Sequence, residues 1–186
     1  MNITVITAPP FEPVLLTEVY KQLRLTPDHE GSPGEETHPD DTMLSGYITT
    51  AREIVERMAR RSLVQQTLRL SIAGFPTSVR GTFPPSRTQA PEVIRLHRPP
   101  LIRVESVSYF DGDNALQVVD RADYYTTDEQ VPELRFVSSF SAPTVYDRPD
   151  AVRVDYVTGY APSGSPSDAQ ADYIGNVPRT LKEAIL

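Results

Sequence analysis

At residue 65 the spacing of apolar residues changes. Before it, DTMLSGYITTAREIVERMARRSLV (residues 41–64) places Met43, Leu44, Tyr47, Ile48, Ala51, Ile54, Val55, Met58 and Ala59 at three- and four-residue steps. That is the signature of an amphipathic helix. After it, in QQTLRLSIAGF, Leu68, Leu70 and Ile72 alternate with polar residues. The same period of two recurs in EVIRLH, IRVESVSYF, ALQVVD, ELRFVSS and AVRVDYVTGY. Strands need period two and helices need 3.6, so helix and sheet must be segregated along this chain. Between the strand patterns lie turn-forming stretches, FPTSVRGTFPPSRTQAP, DGDN, DEQVP and SAPTVYDRPD, of hairpin length or a little longer. They predict an antiparallel sheet or small sandwich.

The flanks are helical. PVLLTEVYKQLRL (Pro13 to Leu25) sets Leu15, Leu16, Val19, Leu23 and Leu25 mostly on one helical face, with Thr17 as the expected N-cap. Asp40 or Asp41 is expected to cap the long helix, and Arg57, Arg60 and Arg61 suit the negative end of its dipole. VPRTLKEAIL starts another helix, with Pro178 in its first turn. Residues 26–41 and 162–176 lack apolar periodicity and read as polar surface loops. The expected fold is therefore α+β: a small helical bundle built from both chain ends (13–64 and 177–186) with an inserted antiparallel sheet or sandwich (about 65–160). Length and composition favour one domain across 1–186.

Composition removes several kinds of function. The formal net charge is -7, which argues against binding nucleic acid by phosphate neutralisation. There are no cysteines, hence no disulfide, thiolate nucleophile or Cys-based metal site. The opening NITVITAPPFEPV has neither basic nor apolar leader regions, and no apolar run approaches the roughly 20 residues that cross a bilayer.

Chemical motifs are equally sparse. His29 and His38 lie among acids, but their spacing matches no zinc or calcium pattern. His97 falls at a strand end before a proline pair and reads as a surface residue. Asp111 and Asp113 in DGDN are explained by turn geometry, as are Asp120, Asp123, Asp128 and Glu129 around the next turn. A chain without Trp also builds a sugar-stacking cleft poorly. Ser163 and Ser165 form no nucleophile elbow, and no phosphate-cradling glycine motif occurs. No cofactor and no catalytic group is expected. The arginines, far outnumbering Lys21 and Lys182, are dispersed among acids, a pattern that suits protein interfaces.

PVLLTEVYKQLRL, an acidic gap, and DDTMLSGYITTAREIVERMARRSLVQQTLRLSIAGFP resemble the head-tail connector (adaptor) proteins of long-tailed bacteriophages and phage-like gene transfer agents. VIRLHRPPLIRVESVSYFDGD, DYYTTD, DRPDAVRVDYVTGY and VPRTLKEAIL follow in the family's order, so the resemblance spans nearly the whole chain. It implies a structural virion protein, made in the host cytoplasm and placed in the neck. It would form a homo-oligomeric ring, usually of twelve copies, between the portal and the head-closure (stopper) or tail protein. Genomic DNA would pass through its channel without specific binding, past acidic residues, and no membrane is involved. Arg52, Arg57, Arg60, Arg61, Arg179 and Lys182 are the candidate ring or portal contacts. Pro99 and Pro100 are the expected rigid corner between strands, since proline fixes the backbone and removes its donor. In the family the last helix usually runs on into a portal-gripping tail, whereas this sequence ends at Leu186. The rival readings are another virion part, such as a tail terminator or baseplate piece, and a glycan-binding β-domain protein.

Overall fold

The computed structural model describes residues 1–26, 37–76, 93–127, 130–160 and 176–186. The expectations for His29, for Asp128 and Glu129, for Ser163 and Ser165, and for most of both polar loops fall outside these residues. Among the described residues the chain combines three α-helices with two antiparallel sheets, neither closed into a barrel. It divides into two compact units. One holds residues 1–8 and 66–158, the other residues 9–65 and 159–186.

The first unit is the β region. Its strands are β1 (Asn2–Thr7), β2 (Gln66–Ile72), β3 (Val93–Arg95), β4 (Leu101–Phe110), β5 (Leu116–Val118), β6 (Tyr124–Thr127), β7 (Glu133–Phe136) and β8 (Val152–Thr158). One sheet has the order β1-β2-β8-β4-β5 and the other the order β3-β7-β6. Register follows the alternation: Leu68, Leu70 and Ile72 of β2 stand opposite Tyr156, Val154 and Val152 of β8. These inward residues join Val107, Leu134, Phe136, Tyr124 and Ile94 in one core shared by both sheets. Phe75 stands edge-on to Tyr109, Phe136 and Phe140, a favoured aromatic arrangement.

Two strands were not anticipated. In β1 the alternation was present, with Ile3 and Val5 on one side and Asn2 and Thr4 on the other, but the segment is short and precedes the helices. In β6, Tyr-Tyr-Thr-Thr carries β-forming residues and no alternation to announce them.

The second unit holds α1 (Leu16–Leu23), α2 (Asp41–Ala59) and α3 (Arg179–Glu183). The N-cap of α1 is Leu15, not Thr17: Glu18 reaches back and accepts the Leu15 N–H at 2.9 Å. Leucine has no oxygen with which to reciprocate, so this is half of a capping box. Asp40 occupies the N-cap of α2 without a side-chain bond to the helix. Asp41 instead accepts the His38 N–H and the Tyr20 hydroxyl, which ties the start of α2 to α1. Those two bonds, Tyr20 first, hold its carboxyl below the usual range. Leu181 and Ile185 pack with Val55 and Tyr160 around Leu63, Val64 and Val177. In this cluster Gly159 is obligatory: at φ +116° its backbone passes so close that a Cβ would lie 2.3 Å from the Val64 carbonyl oxygen.

Candidate functional site: assembly surfaces

Of the carboxylates and histidines flagged by the sequence, Asp111, Asp120 and His38 are committed to local structure. Asp111 accepts the Asp113 and Ala115 N–H groups and the Gln117 amide, which closes the β4–β5 hairpin. The Gln117 bond leads in holding its carboxyl below the usual range. Asp120 accepts from the Ala122 N–H and starts a short 3-10 turn. His38 accepts the Asp40 N–H through Nδ1 at 3.2 Å. Among the described residues, no three His, Cys, Asp or Glu side chains gather closely enough to hold a metal. No helix among them is long and apolar enough to cross a membrane.

The proline corner is built by its neighbours as much as by its own rings. The Pro99–Pro100 bond is cis, and Arg98 before it is left-handed at φ 60°. The Tyr156 hydroxyl donates to the His97 carbonyl at 3.0 Å. The Thr158 hydroxyl lies between the carbonyls of Arg98 and Pro100, 2.9 Å from the latter. Both β8 side chains are buried and make good the acceptors that two prolines leave without local donors. The signal was legible in neither strand alone, because it rests on residues some sixty positions apart in the chain.

The six candidate contact cations occupy unlike places. Arg52 lies inside the helical unit, 6% exposed. Its Nε donates to Glu12 at 2.8 Å and its Nη1 to Glu56 at 3.2 Å. Burial works against the charge, yet the Glu12 bond and the carboxylates of Glu12 and Glu56 outweigh it and hold the guanidinium above its ordinary value. Glu56 also accepts the Leu63 N–H at 2.8 Å, and Glu12 accepts the Thr49 hydroxyl at 2.9 Å. Arg52 is thus the pin of a buried network rather than a surface contact. Arg57, Arg60 and Arg179 are exposed, and Arg61 and Lys182 half-buried. Arg179 pairs with Glu183 one turn on at 3.1 Å.

The helical wheel of α2 is rotated from expectation for the same reason. Leu44, Ile48, Arg52 and Glu56 form the buried stripe, whereas Met43, Tyr47, Ile54 and Met58 are exposed. Periodicity locates an apolar face, but it cannot tell which edge of that face meets the core. Here a salt bridge is buried and a row of large apolar side chains is not. Leu23 of α1 adds to this surface, and a shallow groove runs between it, Tyr47, Ala51 and Ile185. In the β region the strands also expose large apolar residues, among them Val5 and Ile6 of β1, Leu116 and Val118 of β5, and Tyr125 of β6. Such surfaces recruit other protein chains more readily than small molecules.

No protein-family model and no curated protein sequence matches the chain. Solved structures do. A chain in the neck of an empty gene transfer agent (GTA) particle, computed with C6 symmetry, is similar over 100% of this chain and 80% of its own, with a TM-score of 0.70 and 16% identity. A chain of the virion of a native GTA particle is similar at 0.70 and 17% identity, with the same coverage. One from the neck of a native GTA particle, computed with C12 symmetry, gives 0.63 and 14% over 100% of this chain and 79% of that one. At these identities the likeness establishes the fold: the chain has the fold of proteins found in GTA necks and virions.

Proposed function

We propose that the chain is a structural protein of a virion neck, a head-tail connector that forms a ring between the portal and the head-closure or tail proteins. The observation that carries this reading is the fold likeness, which extends over the whole chain to chains of GTA necks. The surface supports it independently, since large apolar side chains are exposed on α2 and along sheet edges. The carboxylates and histidines described above are held by turns and caps.

In this reading the ring closes by head-to-tail contacts, one face of each copy against a different face of the next. Arg57, Arg60 and Arg61 at the end of α2, with Arg179 and Lys182 on α3, meet acidic residues of a neighbouring copy or of the portal. Such pairs supply registry more than affinity. Arg52 holds α2 in place behind them. The clamped corner at Pro99 and Pro100 keeps β3 and β4 at one setting, as repeated identical contacts require. The net negative charge suits a channel past which DNA slides.

A cryo-EM reconstruction of the intact particle's neck tests the proposal. A ring of this protein beneath the portal is expected. Finding it elsewhere in the tail, or absent from the particle, overturns the connector role and leaves the fold untouched.

A further inference from the structure

The five-stranded sheet is guarded unevenly. Open sheet edges expose unpaired backbone N–H and C=O groups, and proteins that stay single protect them with charges, prolines or bulges. The outer side of β4, where β5 does not cover it, is protected in this way. Arg103 and Glu105 of β4 pair along it at 2.7 Å, and the β4–β8 register is twice interrupted there. Among the described residues nothing protects the two terminal strands. β1 reads Asn-Ile-Thr-Val-Ile-Thr, without charge or proline, and five of its six residues are exposed. Its one irregularity, between Val5 and Thr7, leaves Asn2 to Val5 in regular register. β5 reads Leu-Gln-Val, also uncharged, and all three residues are exposed. Leu116 and Val118 are 54% and 69% exposed.

We infer that these two edges are halves of one contact: β1 of one copy adds beside β5 of the next, so that the sheet continues from copy to copy. This rests on the neck reading above and names the surface that carries its ring. The backbone of an open edge accepts an extended strand and little else. The occupant's chemistry follows from that: extended, uncharged and apolar at its exposed positions, which describes the opposite edge of the same sheet.

Geometry agrees. Four successive antiparallel pairings separate β1 from β5, so the two strands run in the same direction. Copies in a ring of about twelve are rotated by about 30° from one to the next, close to the ordinary twist between adjacent strands. A neighbour therefore presents β5 parallel to β1, and the rotation falls within what a sheet absorbs. The faces match as well. Thr4 stands opposite Arg69, which stands opposite Asp155. Arg153, two residues from Asp155, stands opposite Ser108, and Ser108 opposite Val118. Thr4, Leu116 and Val118 thus lie on one face, and the side chains of the two edges would meet there.

The experiment places a photo-reactive amino acid at Thr4 and irradiates both producing cells and purified particles, with the captured peptide identified by mass spectrometry. Capture of residues 115–119 of a second copy is expected. Capture of another protein, of a different part of the second copy, or of nothing overturns the pairing. Thr4→Lys, an exposed change, should leave the thermal midpoint of the purified protein unchanged and lower particle yield roughly tenfold. Leu116→Glu added to it should restore most of the yield, because Lys and Glu then face each other across the seam. Yield unaffected by the first change, or not restored by the second, also overturns it. The two readings fail separately. The expected capture in cells with no copy in particles removes the neck role alone. A neck ring whose Thr4 position captures nothing near β5 removes the pairing alone.

Discussion

The two units of this chain bury different things. The β unit encloses a cluster of thirteen buried apolar or aromatic residues, from Leu68 to Tyr156, among the described residues. The helical unit has a cluster of three, Leu63, Val64 and Val177, with Val14, Tyr20, Leu44 and Ile48 elsewhere. Into the remaining space it puts Arg52 and Glu56, while Met43, Tyr47, Ile54 and Met58 stay outside. A sheet pair can bury its apolar side chains in itself. The described helices, of 19, eight and five residues, enclose a charged network beside their apolar residues instead. Apolar burial is tolerant of small changes of shape, whereas a buried ion network must be complete to be favourable.

The comparison breaks first at Arg52. Arg52→Ala strips Glu56 of its buried partner and is expected to lower stability by about 3–5 kcal/mol, read from urea unfolding. A loss below about 1 kcal/mol would mean that the network is ornamental, since exposed pairs contribute that little. In the β unit, Leu134→Ala, at a fully buried core position, should cost about 3 kcal/mol through lost transfer energy and a residual cavity. The apolar conservative change Leu134→Met should cost less than about 1.5 kcal/mol, whereas Arg52→Lys, equally conservative in charge, should recover little. Lysine cannot hold two carboxylates with a planar fork.

A smaller effect, within the β unit, is read by pH. Burial pushes the Tyr156 hydroxyl up to about 12, and its donation to the His97 carbonyl needs the protonated form. A raised pKa means that the folded chain holds this proton more tightly than the unfolded one. Its contribution is complete below about pH 10 and is lost as the pH rises towards 12. Tyr156→Phe should flatten the alkaline limb of the stability profile, at a cost near 1 kcal/mol for the orphaned carbonyl. The smallest effect is at the acid end. Asp150 is held at about 2 by hydrogen bonds from Arg148 and then Arg153, both of which also lie over the Phe110 ring. Its depressed pKa makes this contribution present above about pH 4 and lost as the pH falls through 2. Asp150→Asn should therefore destabilise slightly at neutral pH and not at all at the acid limit. A wild-type profile parallel to the variant's through that window would show that the cluster contributes nothing.

Much of the fold was legible because its signals are local. The long helix, the six alternating strands and the DGDN hairpin all announce themselves within a dozen residues. The surfaces were harder to read. Arg52, with Arg57, Arg60 and Arg61, looked like part of one basic end, yet it turns inward to Glu12, forty residues away in sequence. No spacing rule contains that pairing. The corner shows the same limit: Pro99 and Pro100 were visible, while Tyr156 and Thr158, which hold it, were read only as members of an alternating strand. β1 shows the reverse. Its alternation could have been used, and the absence of charge in NITVIT was the signal of an unguarded edge.

Arg24, Arg60 and Arg98 have a consequence of another kind. Each holds a left-handed backbone, at φ 56°, 52° and 60°, where a side chain costs about 1 kcal/mol that glycine would not. Every arginine codon lies a single base change from a glycine codon, so relief is always within mutational reach. A lineage under pressure for stability alone would drift to glycine at all three sites. Relatives of this chain therefore carry a readable record. Glycine at one of these positions marks an arginine that only ended an element, and persistent arginine marks one retained for what its charge meets.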